Sequence, residues 1–167
     1  MTNLASIHDF PAIAAEPQTQ RVAILGATGY AGAELVKILG RHRFATIAGA
    51  YSSSFELDSL AECDVVFTAI PNEASAKLVP QLLDRGARVI DLSGAFRLSQ
   101  PSLYPSWYGF EHERPELLGE AVYGLTEWCK EGELADARLV ANPGCYPTSI
   151  LLALRPIAYL IDREQPV

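Results

Sequence analysis

A short apolar run that closes on a glycine-rich loop constrains the fold of this chain more than any other feature. Residues 21–25 suit a buried strand, and Gly26, Gly29 and Gly32 follow in the spacing Gly-x-x-Gly-x-x-Gly. A helical pattern comes next, and its predicted apolar face consists of Ala31, Leu35, Ile38 and Leu39. A strand, a glycine loop and a helix in this order predict the first unit of a parallel sheet.

The rest of the chain continues the alternation of strands and helices. Further apolar runs predict strands at 44–51, 64–70, 87–92 and 138–141. Helical patterns lie at 73–84, where Pro80 predicts a kink or break, and at 146–154. We therefore expect an α/β fold, a Rossmann-like doubly wound parallel sheet with helices on both faces.

The glycine loop predicts a binding site for the pyrophosphate of a dinucleotide. One glycine permits the tight turn, another lets the backbone approach the pyrophosphate, and the last lets helix and strand pack closely. The helix N-terminus adds free amide groups and a partial positive charge. The residues expected to bind the cofactor are Gly26, Thr28, Gly29, Tyr30, Ala31 and Gly32. The competing interpretation is a tight turn without a ligand.

The end of the second predicted strand bears on the choice of cofactor. An Asp or Glu at this point would bind the adenosine ribose of NAD, but this chain has Ser52, Ser53 and Ser54 after Tyr51. No carboxylate repels a 2′-phosphate, and the hydroxyls can donate to one, so we expect NADP with Ser52 and Ser53 as ligands. A solvated serine loop is the alternative, since no Lys or Arg is adjacent.

Cys145 lies between a predicted strand and a predicted helix and is the candidate nucleophile. A helix N-terminus stabilises a thiolate, and Gly144 allows a substrate to approach the backbone. Attack on an activated acyl group gives a thioester, which hydride from NADPH reduces to an aldehyde. The alternative is a small buried hydrophobic residue. Cys63 and Cys129 are weaker candidates, and the three cysteines suggest neither a disulfide framework nor a metal site.

Charge and hydropathy narrow the classes of partner. The net charge of −7 argues against nucleic acid, and no segment approaches the roughly 20 apolar residues that span a bilayer. Residues 1–20 contain no Lys or Arg and no continuous apolar run, which argues against a secretory signal. We expect a cytoplasmic protein that acts on a small molecule and binds neither nucleic acid nor membranes.

The chain divides into three predicted segments. Residues 1–20 are expected to form a flexible tail, residues 21–157 an NADP-binding domain that includes Cys145, and residues 158–167 the start of a truncated segment. Within the domain, residues 93–136 are irregular and rich in Tyr, Trp, Pro and Gly. An irregular stretch this long inside a compact domain is usually functional.

Several motifs together resemble the N-acetyl-gamma-glutamyl-phosphate reductases, which belong to the semialdehyde dehydrogenase group. The glycine loop is shared by much of that group, whereas the later motifs are more specific. The matching pieces after the loop are Val89-Ile-Asp-Leu-Ser93, Phe96-Arg-Leu98, Trp107-Tyr-Gly-Phe-Glu-His112, Pro115-Glu-Leu-Leu118, Ala121-Val-Tyr-Gly-Leu125 and Asn142-Pro-Gly-Cys-Tyr-Pro-Thr148.

The resemblance implies NADPH-dependent reduction of N-acetyl-gamma-glutamyl phosphate to the semialdehyde, a step of arginine biosynthesis, with Cys145 as the nucleophile. It also implies that Arg97, Asn142 and Gly144 bind the acyl-phosphate substrate and that Pro71 lies at the cofactor site. The sequence departs from the family after Pro71, where Pro-His-Gly is usual, and in the connection between the second and third strands, which is short here.

The family carries a substrate domain, with a histidine acid–base, after the cysteine helix. Because this chain ends at Val167, we expect a fragment with an incomplete fold and poor turnover on its own, and a homo-oligomer when full length. His112 is the only local substitute for the acid–base, and a surface or capping histidine is the favoured interpretation of this residue. Two alternatives stay open: a related semialdehyde dehydrogenase for amino-adipyl or aspartyl phosphate, and a non-catalytic, truncated NADP-binding module.

Overall fold

A parallel sheet of six strands forms the centre of the molecule. The computed structural model describes residues 18–52, 54–60 and 62–160. The strands, in chain order, are β1 Gln20–Leu25, β2 Ala45–Tyr51, β3 Val65–Thr68, β4 Arg88–Asp91, β5 Val122–Tyr123 and β6 Leu139–Ala141. Their order across the sheet is β2-β1-β3-β4-β6-β5, and every neighbouring pair is parallel. The predicted Rossmann-like sheet is confirmed.

Within the described residues, six α-helices connect the strands or follow them. They are α1 Tyr30–Leu39, α2 Asn72–Asp84, α3 Tyr104–Tyr108, α4 Glu116–Glu120, α5 Glu133–Asp136 and α6 Cys145–Leu154. Helix α6 begins within one residue of its predicted position, whereas the short helices α3, α4 and α5 lie in the stretch for which the sequence predicted no regular structure. The two-residue strand β5 also falls there; it pairs with β6, and it is too short for a periodicity to predict.

Alternate residues of β1 face opposite sides of the sheet, and a helix covers each side. Val22 and Ile24 pack with Leu39 of α1, whereas Ala23 and Leu25 belong to the core cluster that includes Val79 of α2. Both clusters are apolar, so burial at the two faces accounts for the doubly wound arrangement. Helices therefore lie on both faces, as predicted.

The predicted apolar face of α1 was partly wrong. Leu35 packs against the sheet and Leu39 is buried, but Ala31 is exposed and Ile38 is 61% exposed. Gly32 is buried instead, because the helix packs closely against the glycine loop at this position. The side of α1 that faces the sheet therefore consists of Gly32, Leu35, Val36 and Leu39, and Ile38 points to solvent.

Two other expectations about the helices are resolved by packing. Pro80 does not break α2, which continues to Asp84; Pro80 is buried, and burial of this face offsets the lost backbone hydrogen bond. Helix α6 is apolar yet buries none of its residues, and Ile150 and Leu154 are exposed.

β1 begins at Gln20, and most of the predicted tail, residues 1–17, lies outside the described residues, as do residues 161–167.

The packing of α1 yields a stability prediction for two adjacent residues. Leu39→Ala should lower the free energy of unfolding by about 2–3 kcal/mol, because a buried leucine leaves a cavity. Ile38→Ala should cost no more than about 0.5 kcal/mol, because its side chain is mostly in water already. Urea titrations of both variants test this. Equal losses would show that α1 packs through the face predicted from sequence.

Candidate active site at the carboxyl edge of the sheet

The loops that follow four parallel strands meet at one edge of the sheet. Parallel strands end at the same edge, so the glycine loop after β1 lies beside the start of α2 after β3. Residues 92–98 follow β4, and residues 142–144 follow β6, the next strand across. The topology thus lines up the residues predicted to bind cofactor with those predicted to bind substrate.

Two glycines of the loop are required by the fold itself. Gly26 has a φ of +82°, a conformation that L side chains rarely adopt, and a Cβ there would overlap the carbonyl oxygen of Ala69. A Cβ on Gly32 would overlap the carbonyl oxygen of Gly26. These two positions permit the tight turn and the close packing of α1, whether or not a ligand binds.

Gly29 differs, because the protein alone leaves room for a side chain there. Its φ is −75°, and an added Cβ would meet the Gly26 carbonyl oxygen at an ordinary 3.4 Å. Gly29 is the N-cap of α1, so the first helical amides, beginning with the 99% exposed Tyr30, lack helical acceptors. An open approach to unpaired amides fits a pyrophosphate.

The remaining predicted cofactor residues surround this loop. Thr28 is exposed at its tip, and the amides of Gly26 and Ala27 donate to the carbonyl of Tyr51 at 2.8 and 2.9 Å, which fixes the end of β2 beside it. Ser52 and Pro71 line one cavity of about 380 Å³. Ser53 lies outside the described residues.

Cys145 is the first residue of α6 and is the exposed cysteine of the three. Gly144 precedes it as the N-cap, in extended conformation. Burial raises the pKa of the Cys63 thiol, and burial also raises that of Cys129, whose Sγ donates to the Leu125 carbonyl at 3.3 Å. Of the three thiols, only Cys145 combines exposure with a helix N-terminus.

Arg97 reaches the helix that begins with Cys145. Its Nε donates to the carbonyl of Asn142 at 2.8 Å, and its Nη2 donates to the carbonyl of Leu92 at 2.7 Å. A Cβ on Gly144 would lie 2.9 Å from Nη1, so the guanidinium rests against the residue before the cysteine. Among the described residues no carboxylate pairs with Arg97.

The structure brings together all three predicted substrate residues, although Asn142 acts through its backbone. Its carbonyl orients Arg97, while its side-chain Nδ2 donates to the Pro143 carbonyl at 3.0 Å. Asn142 therefore lies beside Arg97 and Gly144, and its substrate-binding role stays a prediction.

Sequence reasoning missed Asp91, which organises the loop after β4. This fully buried carboxylate accepts hydrogen bonds from the hydroxyls of Thr68, Ser75 and Ser93. Asn72 Oδ1 also accepts from the amide of Gly94 at 2.7 Å, which ties α2 to the same loop. An aspartate at the end of an otherwise apolar strand was the available indication.

His112 packs against the loop after β4, and both of its ring nitrogens already have hydrogen-bond partners. Its Nε2 lies 3.0 Å from the Ala95 carbonyl and its Nδ1 accepts from the Arg114 amide at 3.2 Å, so Nε2 carries the proton. The ring packs edge-on against Phe96 and Tyr104. Burial lowers the pKa of His112, and burial raises the pKa of Tyr104 to about 12.

The described residues contain neither a metal-ligand cluster nor a membrane-spanning helix. Within this part of the chain, no three His, Cys, Asp or Glu side chains cluster closely enough to hold a metal ion. None of the helices described there has the length and apolar character needed to traverse a bilayer.

The contrast among the thiols predicts a reactivity order. At neutral pH iodoacetamide should modify Cys145 at least tenfold faster than Cys129, and Cys63 slowest, because burial disfavours the other two thiolates. Peptide mapping after timed quenches gives the three rates. Faster modification of Cys63 or Cys129 in the folded chain would remove the physical basis for choosing Cys145.

The buried His112 predicts a loss of stability in mild acid. Its folded pKa is lowered below 6.5, so the unfolded chain takes up the proton first, and stability falls as pH drops from 6.5 through the folded value. His112→Gln should flatten this dependence between pH 7.5 and 5. Urea midpoints of both proteins over that range test it, and parallel curves would contradict the buried, neutral histidine.

The sequence of this chain is similar to those of known dehydrogenases and reductases. The family model described as the NAD-binding domain of semialdehyde dehydrogenase matches residues 21–56 and 53–136. The two pieces meet in the connection after β2, where the sequence predicts a shortened segment. Proteins named N-acetyl-gamma-glutamyl-phosphate reductase are 47% identical in Dehalococcoides mccartyi and 44% identical in Brevibacillus brevis, over 87% and 82% of this chain.

The chain spans about half the length of these relatives, 48% and 46% respectively. Among solved structures, aspartate semialdehyde dehydrogenase II from Vibrio cholerae, complexed with ASA, matches with a TM-score of 0.58 at 22% identity, covering 86% of this chain and 48% of that one. Aspartate semialdehyde dehydrogenase with NADP from Candida albicans gives a TM-score of 0.55 at 12% identity over the same shares. These structures share the fold, and the family match shows that the chain belongs to the semialdehyde dehydrogenase family through its NAD-binding domain.

Proposed function

We propose that this chain is the cofactor-binding part of an NADPH-dependent N-acetyl-gamma-glutamyl-phosphate reductase. The observation that carries the proposal is the arrangement of Arg97 against Gly144, beside the exposed Cys145, at the sheet edge that also bears the glycine loop. The identity of 44–47% to reductases of that name supports the choice of substrate.

The glycine loop fits the pyrophosphate of the cofactor. The amides at the start of α1 and the open position of Gly29 would hold it, and Ser52 and Pro71 would contact the adenosine half in their shared cavity. The Ser52 hydroxyl, with no carboxylate at the end of β2, favours NADP over NAD. The bound cofactor supplies the hydride that reduces the acyl group to an aldehyde.

Cys145 and Arg97 divide the work on the substrate. The Cys145 thiolate attacks the acyl carbonyl, a C–S bond forms, and the C–O bond to phosphate breaks, so that phosphate leaves with the electron pair and a thioester remains. The guanidinium of Arg97 binds the anionic substrate by charge-assisted hydrogen bonds. Backbone amides at the start of α6 would stabilise the developing oxyanion.

The acid–base group of the reaction would come from outside the described residues. Both ring nitrogens of His112 are engaged, and His42 follows α1 at the opposite edge of the sheet. We place the complete reaction in a cytoplasmic, homo-oligomeric enzyme of arginine biosynthesis.

Cofactor binding should depend on Gly29 separately from folding. Gly29→Val should weaken NADP binding about tenfold or more by blocking the approach to the amides, with a urea midpoint close to that of the unsubstituted chain. Gly32→Ala is the matched control: its Cβ overlaps backbone, so it should lose stability first. NADP should also bind more tightly than NAD in fluorescence titrations. Unchanged affinity in Gly29→Val, or a preference for NAD, would contradict this assignment.

Turnover tests the substrate assignment. NADPH formation from N-acetylglutamate semialdehyde, NADP and phosphate should be weak for this chain alone, because a positioned acid–base is worth about 10²–10⁴-fold. Adding a separately made carboxyl-terminal half of a relative should raise it, and the same mixture with Cys145→Ala should stay inactive. A near-normal rate from the chain alone would contradict the placement of the acid–base, and activity of the Cys145→Ala mixture would contradict the thioester route.

A further inference from the structure

Asp91 is a buried carboxylate for which the proposed chemistry has no direct use. It ends β4, is fully buried, and sits between α2 and the loop that carries Arg97. Among the described residues no cation pairs with it. Burying an unpaired carboxylate is costly, so a simple packing role would be better served by an apolar residue.

Neutral donors compensate the carboxylate from two sides. Oδ1 accepts from Thr68 Oγ1 at 2.7 Å and from Ser75 Oγ at 2.6 Å, which are the contacts toward β3 and α2. Oδ2 accepts from Ser93 Oγ at 2.7 Å, and the Ser93 amide lies 3.2 Å from Oδ1, which are the contacts toward the loop. The carboxylate therefore joins the loop to the body of the sheet.

Ser93 links the Asp91 carboxylate to the backbone that leads to Arg97. Its hydroxyl donates to Asp91 and accepts from the Ala95 amide at 3.1 Å, so the chain turns back within residues 91–95. The turn presents the Leu92 carbonyl to Nη2 of Arg97, whose own amide closes on the Gly94 carbonyl at 3.4 Å. One segment thus both carries Arg97 and holds its guanidinium.

We propose that Asp91 is a positioning residue that acts through Ser93: it fixes residues 92–97 so that the Arg97 guanidinium lies against Gly144, next to Cys145. This inference rests on the proposed function, which gives Arg97 its role toward an anionic substrate. It adds that the buried carboxylate, which touches neither substrate nor cofactor, sets the strength of anion recognition at the cysteine.

Two alkylating reagents of similar size and different charge report on that recognition. Iodoacetate is an anion and iodoacetamide is neutral, and both react with the same Cys145 thiolate. The ratio of their rates therefore cancels changes in the thiolate fraction and reports the local positive potential. Residues 139–163 form a tryptic peptide, because trypsin does not cleave between Arg155 and Pro156; Cys145 is its one cysteine, so mass spectrometry isolates the rates at this thiol.

Three variants distinguish removal of the Arg97 side chain from loss of the contacts that position it. Arg97→Gln should lower the iodoacetate-to-iodoacetamide ratio about fivefold at low ionic strength. Asp91→Asn replaces a carboxylate oxygen, which accepts hydrogen bonds, with an amide nitrogen, which donates them. Ser93→Ala removes the hydroxyl that joins the Asp91 carboxylate to the Ala95 amide. Each should lower the ratio about twofold or more although Arg97 is still there.

Thr68→Val is the matched control, because it removes a hydrogen bond of the same 2.7 Å length to the same carboxylate on the side away from the loop. Its ratio should stay within about 1.3-fold of the unsubstituted chain. Circular dichroism and urea midpoints verify that each variant is folded, and Ser93→Ala carries the test if Asp91→Asn does not fold.

The outcomes distinguish this inference from the function on which it rests. If Arg97→Gln lowers the ratio and neither Asp91→Asn nor Ser93→Ala does, the positioning role is overturned and the role of Arg97 stands. If Thr68→Val lowers the ratio as much as Ser93→Ala, the route through Ser93 is overturned. If Arg97→Gln itself changes nothing, Arg97 does not act at Cys145, and both the inference and the substrate role of Arg97 are overturned.

Discussion

The site depends on the two hydrogen bonds that Arg97 donates to backbone carbonyls. Leu92 follows β4 and Asn142 follows β6, so one guanidinium joins the ends of two adjacent strands. A planar group with several fixed donors can satisfy both carbonyls and still present Nη1 to Gly144. A lysine lacks this geometry, because its three donors converge on one nitrogen, whereas those of arginine are spread over three nitrogens of a planar group.

The parallel sheet determines where the loops around Arg97 lie, and the loops carry the residues of the candidate site. The order of the strands sets the glycine loop, the start of α2, the Arg97 loop and Cys145 along one edge. Gly26 and Gly32 are required by the turn and by the packing of α1, whereas Gly29 has room for a side chain. His112 and Tyr104 then fix the outer part of the Arg97 loop through the Ala95 and Leu98 backbones.

The local sequence was sufficient to predict the elements that are stabilised by local interactions or buried on both faces of the sheet. The strands at the centre of the sheet fall within a few residues of their predicted positions, because continuous apolar runs bounded by glycine or polar residues have few other solutions. The face of α1 was harder, since Gly32 rather than an apolar side chain determines how closely that helix approaches the loop. β5 could not be predicted from the sequence, because its two residues are stabilised by pairing with β6 and are too few to show a pattern of their own.

The same distinction holds for the site. The positions of Cys145 and of the glycines were predictable, because the strand and helix that flank each of them are encoded locally. Asp91 was not, since its role depends on contacts 16 and 23 residues away in the chain. The burial of His112 was equally out of reach, because the carbonyl of Ala95, 17 residues away, is what engages its ring.

Formation of an acyl thioester on Cys145 is the central claim, and mass spectrometry of the folded chain tests it most directly. After incubation with N-acetyl-gamma-glutamyl phosphate, the tryptic peptide of residues 139–163 should gain the mass of one N-acetylglutamyl group. Hydroxylamine should remove that mass, and Cys145→Ala should not acquire it. No adduct on this peptide, or an equal adduct on Cys63 or Cys129, would contradict the account.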